Sequence, residues 1–215
     1  QGQKKMNVNQ QIFQLGYQVT LTLRKESSCT ETLGGQIPNT PAADVNNKTC
    51  DQIAQDGTGL TFTELKRLNS DGSGTPTTVL KVGDEYGKGS GARVGVISMF
   101  FAGQTLSDTN PGPHGGKVCI MYAVLGGGTF NQAAALADLA AGNDITGKYG
   151  IANRSNMLGG VTFWRDYTVE FQSNPLSSPT AISSCSAGIE QTYGNVACNA
   201  IGGQYTSTGN KCKRI

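Results

Sequence analysis

This chain has almost no histidine: His114 is the only one in 215 residues. Any Cys/His metal centre is therefore starved of imidazole. None of the six cysteines falls in a CxxC pair, so neither a zinc site nor a thioredoxin-type redox motif is indicated. Charge is also sparse, at 15% of residues against the usual quarter. Seventeen bases and 15 acids leave a formal net charge of +2, which removes the electrostatic case for a nucleic-acid partner. Long apolar runs are missing as well. The longest, Val118 to Leu125, is strand-sized and far below the ~20 residues of a membrane span. No GxGxxG occurs, and the triple glycine at 126–128 lacks the Lys-Ser/Thr of a Walker-type loop, so it reads as a bare turn.

What is abundant is glycine, 30 residues of it, together with Ser, Thr and Asn, the composition of a turn-rich secreted β protein. The cysteines, Cys29, Cys50, Cys119, Cys185, Cys198 and Cys212, are even in number and scattered, as an oxidising compartment produces. Extracellular or cell-envelope residence is expected, with all six oxidised. Few large apolar residues lie between Cys198 and Cys212, so that segment needs a covalent staple. A Cys198–Cys212 bridge closes about 15 residues, and Gly202-Gly203 and Gly209-Asn210 supply the turns. For the other four, the expected pairs are Cys29–Cys50, closing a long loop, and Cys119–Cys185, joining two strands; fifteen connectivities are formally open.

Length and composition favour a single domain, 1–215, of α+β class. Residues 1–26 read as an amphipathic helix. Val8, Ile12, Leu15 and Val19 fall on one helical stripe, although Tyr17 to Leu23 also alternates with period two and a strand competes there. Arg24 and Lys25 suit a helix C-terminus. Residues 27–59 read as a long loop rich in Gly, Pro, Asn, Thr and Asp. Residues 60–185 read as a sheet with insertions, in strand-like runs Leu60–Leu68, Thr77–Val82, Arg93–Ala102, Lys117–Leu125, Val161–Gln172 and Thr180–Cys185. Turn chemistry separates the runs at 69–76, 87–91 and 110–116, and a short helix is expected between Phe130 and Ala141. Residues 186–215 form the Cys-stapled tail. The start at Gln1, without methionine, reads as a mature or trimmed chain.

A Gln/Lys-rich helical stub leads into Leu23-Arg-Lys-Glu-Ser-Ser-Cys29-Thr-Glu-Thr-Leu-Gly-Gly35. Glu85-Tyr-Gly-Lys-Gly leads into Val94-Gly-Val-Ile-Ser-Met99, and Ile182-Ser-Ser-Cys185 precedes the Cys/Gly-rich tail. In this order the residues resemble the soluble domain of a type IV pilin-like protein, a minor pilin or pseudopilin of a Gram-negative bacterium. The resemblance implies an amphipathic helix packed on an antiparallel sheet, a disulfide-closed C-terminal loop, and a further apolar half-helix ahead of Gln1. That half-helix would supply the only contact with the membrane. The family's Phe-Thr-Leu-x-Glu start does not occur in this sequence.

Candidate chemistry is thin. His114 lies in Pro-Gly-Pro-His-Gly-Gly, a turn, with no identifiable nucleophile or acid beside it. Asp71 and Asp84 lie in or near Gly-rich loops without the DxDxDG density of an EF-hand, and solvated turn residues are the plainer reading. Trp164-Arg165-Asp166-Tyr167 alternates aromatics and charges. Exposed, these rings would contact sugar or protein, and core burial is the plainer reading. Asn47-Lys-Thr49 and Asn153-Arg-Ser155 fit the N-glycosylation pattern. No catalytic residue, cofactor or metal is expected. The expected function is that of a non-enzymatic structural or adhesive subunit of a type IV pilus-like or type II secretion filament. Its partners would be other pilin or pseudopilin subunits, with a host, prey or surface receptor met through loops 103–116, 126–160 and 198–212. The alternative is a free-standing secreted adhesin or carbohydrate-binding module.

Overall fold

The computed structural model describes residues 2–69, 72–89, 92–105, 113–153, 160–174, 181–186, 203–206 and 211–214. Residues 6–23 carry no charge, and they lie in one helix, α1 (Gly2–Arg24). The competing strand reading of its second half fails on exposure. A strand would put Tyr17, Val19, Leu21 and Leu23 on one face. Instead Val19 and Leu23 are fully buried, while Tyr17 and Leu21 look outward. Helical period wins because Val19 and Leu23 continue the stripe of Val8, Ile12 and Leu15, all three of them buried.

The expected loop at 27–59 is instead largely helical: α2 (Glu26–Leu33), α3 (Ala42–Asn47) and α4 (Cys50–Asp56). The physical reasons are local caps and tertiary contacts. Thr49 and Gln52 form a capping box at the start of α4, and Gly57, at φ 68°, ends it in the left-handed conformation. On α2, Ser28 and Thr32 are one turn apart and act together. Their hydroxyls accept hydrogen bonds from the backbone N–H groups of Leu68 and Lys66, each at 3.0 Å, and so close off the edge of a neighbouring strand.

The strands are β1 (Leu60–Thr61), β2 (Glu64–Arg67), β3 (Thr77–Lys81), β4 (Glu85–Tyr86), β5 (Arg93–Gly103), β6 (His114–Leu125), β7 (Thr162–Asn174), β8 (Ala181–Ser186), β9 (Gly203–Thr206) and β10 (Lys211–Arg214). A fifth helix, α5 (Gln132–Ala140), interrupts them. The main sheet runs β1-β5-β6-β7-β8 and is antiparallel, with β4 sharing the outer side of β5; β2–β3 and β9–β10 pair separately. The chain is thus α+β. Gly103 and Gly116 stand opposite each other on β5 and β6, and the Phe101 ring occupies the space above them.

Alternation along β6 sends successive side chains to opposite faces, and both faces are covered. Val118, Ile120, Tyr122 and Val124 join the buried residues of α1, together with Leu33 of α2, Leu65 of β2 and Leu80 of β3. On the other face, Ala123 and Leu125 pack with Ile97, Phe130, Ala135, Ile145 and Ile151. Cys119 packs there with Phe100, Ala102, Cys50 and Ile53.

This division explains why the expected disulfide pairs do not form. Cys29 and Cys185 belong to the first core, Cys50 and Cys119 to the core on the opposite face. A sheet separates the partners expected from spacing, and the bridges are Cys29–Cys185 and Cys50–Cys119. Their Cα–Cα distances are 5.5 and 5.8 Å, and they close sequence separations of 156 and 69 residues. Loops of that size are worth about 4–5 kcal/mol each in the chain-entropy account. The expected Cys198–Cys212 bridge lies outside the described residues; the backbone of Cys212 stands opposite Tyr205 in the β9–β10 pair.

Two outcomes follow from this packing. Val19→Asp places an unpaired carboxylate in a fully buried position, so thermal melting should report a loss of more than about 3 kcal/mol. Unchanged melting would contradict the burial of the α1 stripe. Non-reducing peptide mapping should recover Cys29 linked to Cys185 and Cys50 linked to Cys119, and recovery of Cys29 linked to Cys50 would contradict the two-faced arrangement.

Candidate functional site

Between β6 and β7 the chain leaves the sheet, covers its second face and returns. The geometry of this excursion, residues 126–153, begins with one ion pair. Arg93 on β5 donates from Nη2 to Glu85 Oε2 at 2.7 Å. The same guanidinium donates to two carbonyls of the glycine run, Gly126 O at 2.9 Å and Gly128 O at 3.1 Å. Glu85 also accepts from the Phe130 N–H at 3.3 Å. The triple glycine at 126–128 is therefore a turn that presents carbonyls to a cation, the opposite polarity from a phosphate cradle.

From that anchor α5 starts at Asn131, whose side chain accepts from the Ala134 N–H as an N-cap. Gln132 reaches back to the Ile97 carbonyl at 2.7 Å. The return leg is tied through Asp138. Its carboxylate accepts the Tyr149 hydroxyl at 2.7 Å and the Asn143 amide at 3.2 Å, and Lys148 lies 3.8 Å away. Tyr149 has φ 55°, the left-handed region that a bulky residue avoids. Its hydroxyl bond to Asp138 and its carbonyl, which accepts from the Asn131 N–H, hold it there. The Tyr149 hydroxyl, ahead of the Asn143 amide, keeps the Asp138 carboxyl below the ordinary carboxylate range. Hydrogen bonding to Arg93 does the same for Glu85.

The other residues singled out from the sequence are dispersed. His114 is not in a turn. It opens β6, is 7% exposed and stacks beside the Phe171 ring at 5.4 Å, because its backbone pairs with Phe171 of β7. Its Nε2 lies 3.5 Å from Ser173 Oγ, a Ser/His proximity across 59 residues that no sequence signal announces. Both residues are buried. Asp84 is exposed in a turn, and Asp71 lies outside the described residues. Trp164 and Tyr167 point to opposite faces of β7. Trp164 packs edge-on against Phe100 at 5.1 Å, with its Nε1 buried and unpartnered among the described residues; Tyr167 sits against Gly16 of α1. Asn47 and Asn153 are exposed. Residues 106–112, 154–159, 198–202 and 207–210 of the three expected recognition loops lie outside the described residues.

Sequence reasoning also missed Lys117, a lysine only 9% exposed on β6, whose ammonium donates to the Lys48 carbonyl. Burial pulls its pKa down. Among the described residues no group of three or more His, Cys, Asp or Glu side chains is placed to hold a metal ion. No described helix is long and apolar enough to cross a membrane. No protein-family model, curated protein or solved structure matches this chain. What the arrangement does is hold the excursion against the sheet as a preformed surface, through Arg93 and Glu85 at its start and Asp138 and Tyr149 at its end.

The Glu85–Arg93 anchor makes that surface acid-sensitive. A carboxyl whose folded pKa is depressed contributes stability above its ordinary value, about 4.3, and loses it as pH falls through the folded value. Wild-type melting temperature should fall steeply in that window. Glu85→Gln should melt lower at neutral pH and lack that part of the acid dependence. Parallel pH profiles for the two proteins would contradict the anchor.

Proposed function

We propose that this chain is a non-enzymatic subunit of a type IV pilus-like or type II secretion filament, acting by assembly and surface contact. The observation that carries the reading is the first helix. It is uncharged from residue 6 to residue 23, and its inner stripe is buried in one core with residues of an antiparallel sheet. Such a helix suits a subunit that packs against its neighbours in a filament. Two disulfides and the absence of a membrane-crossing helix among the described residues are compatible with an extracellular or periplasmic protein. Partners are other pilin or pseudopilin subunits, and a surface receptor met through the loops.

A second reading, a free-standing secreted adhesin or carbohydrate-binding module, is favoured by the stapled excursion at 126–153, which is built as a binding platform is built. The gene upstream separates the two. A cleavable prepilin leader running into about 20 apolar residues supports the first, and an ordinary signal peptide the second. Deleting the gene should impair piliation, secretion or surface attachment. Complementation with His114→Ala should restore the phenotype, at the cost of a slightly lower melting temperature because the ring is buried. A hydrolytic activity abolished by that exchange would overturn the non-enzymatic reading.

A further inference from the structure

The main sheet closes its edges with specific bonds, with one exception. β1 and β4 take the outer side of β5. On β8, the Ile182 N–H donates to the Gln36 carbonyl, the Ile182 carbonyl accepts from the Gly35 N–H, and the Cys185 N–H donates to the Thr30 hydroxyl. β7 differs. Its inner side pairs with β6 from Thr162 to Phe171 without a register shift, but β8 pairs with its outer side only from Glu170 to Asn174. Residues 162–168 thus have no outer strand among the described residues, an edge about 20 Å long.

The Val161 carbonyl accepts from the Val124 N–H at 2.8 Å, so odd-numbered residues of β7 direct their backbone groups to β6. Thr162, Trp164, Asp166 and Thr168 therefore direct theirs outward. Thr162, Phe163, Trp164, Tyr167 and Thr168 are β-branched or aromatic, the residue types that favour a strand. The segment has no Pro, Lys or bulge of the kind that blunts an edge. An edge of this description accepts another strand.

Charge selects the strand and its register. Arg165 and Asp166 are exposed, and the Arg165 guanidinium lies 5.1 Å from the centre of its own Phe163 ring. Two copies of the edge can pair antiparallel about a two-fold axis normal to the sheet, with odd residues facing odd and even facing even. A pairing centred on residue 165 sets Arg against Arg, and one centred on 166 sets Asp against Asp, both destabilising. Centred on Trp164, the pairing has no like charges opposite one another. Indole meets indole at the axis, Arg165 of each copy faces the Phe163 ring of the other, and Asp166 faces the Thr162 hydroxyl.

We propose that the open edge of β7 is a self-pairing site, where residues 162–166 of two copies pair antiparallel with Trp164 opposite Trp164. Three outward-facing pairs, 162 with 166, 164 with 164 and 166 with 162, supply about six backbone hydrogen bonds at two per pair. Both copies use the same patch, so the contact closes as a dimer with one continuous sheet. It goes beyond the filament reading and holds or fails without it.

The test is sedimentation velocity from about 10 μM to about 1 mM on the chain and three variants, with thermal melting to check each fold. The wild type should pass from monomer to dimer and stop there. Asp166→Pro removes one outward N–H and no bond to β6, and should weaken the dimer about 10-fold or more. Thr162→Lys sets a cation opposite Asp166 at both ends of this register alone, and should tighten the dimer about 3- to 10-fold. Thr162→Asp should weaken it by a similar factor. A wild type monomeric throughout overturns the proposal. Association unmoved by Asp166→Pro assigns the contact to another surface, such as the exposed row Phe13, Tyr17 and Leu21 of α1, and overturns it as well. If Asp166→Pro weakens the dimer but the two Thr162 variants behave alike, the edge pairs in another register and the one stated here is wrong. Should Asp166→Pro itself fail to fold, the contrast between Thr162→Lys and Thr162→Asp decides.

Discussion

Everything in this structure answers to one constraint: the central strand pair β5–β6 is buried on both faces. An antiparallel sheet commonly keeps one face for water and alternates accordingly. Here Val118 to Leu125 is an unbroken apolar run, and its odd and even members enter different cores. Such a pair is stable only when both faces are covered, so the chain must supply a layer on each side. α1, α2 and the β2–β3 pair supply one. The excursion with α5, and the segment with α3 and α4, supply the other.

Most of the covers apart from α1 are short elements that would not hold a shape alone, and specific bonds tie α2, α4 and the excursion to the sheet. Cys29–Cys185 fixes α2 to the edge strand β8, and Cys50–Cys119 fixes α4 to β6. Lys117 reaches from β6 to the Lys48 carbonyl between α3 and α4. Arg93 and Glu85 pin the start of the excursion, and Asp138 with Tyr149 pins its end.

How much of this was legible in the sequence depends on whether a signal was local. The helix at the start, most of the strands and the helix at 132–140 are readable because period and turn chemistry lie within a few residues of each other. The capping box Thr49-x-x-Gln52 with Gly57 was equally local, and it marks α4 inside a stretch whose composition alone suggests a loop. The pairing of the cysteines was not readable. It depends on which face of the sheet each one meets, a property of the assembled fold and not of spacing. His114 is the same case. A Pro/Gly-rich neighbourhood suggests a turn, and only its alignment with Phe171 on β7 draws it into a strand. The Arg93 anchor joins residues 8 and 33 or more positions apart and leaves no trace in any window.

The central claim, that one sheet is stabilised jointly by covers on its two faces, is tested most directly by native-state amide hydrogen exchange. If the α1 stripe and the β5–β6 pair share one core, the amides of Ile12 to Leu23 should exchange through the same global opening as those of Val94 to Phe101 and Val118 to Val124. The inner amides of α5 should be protected well above the exposed turns. Rapid exchange throughout α1, alongside a fully protected β5–β6 pair, would contradict the account, because it would mean that the sheet stands without its cover.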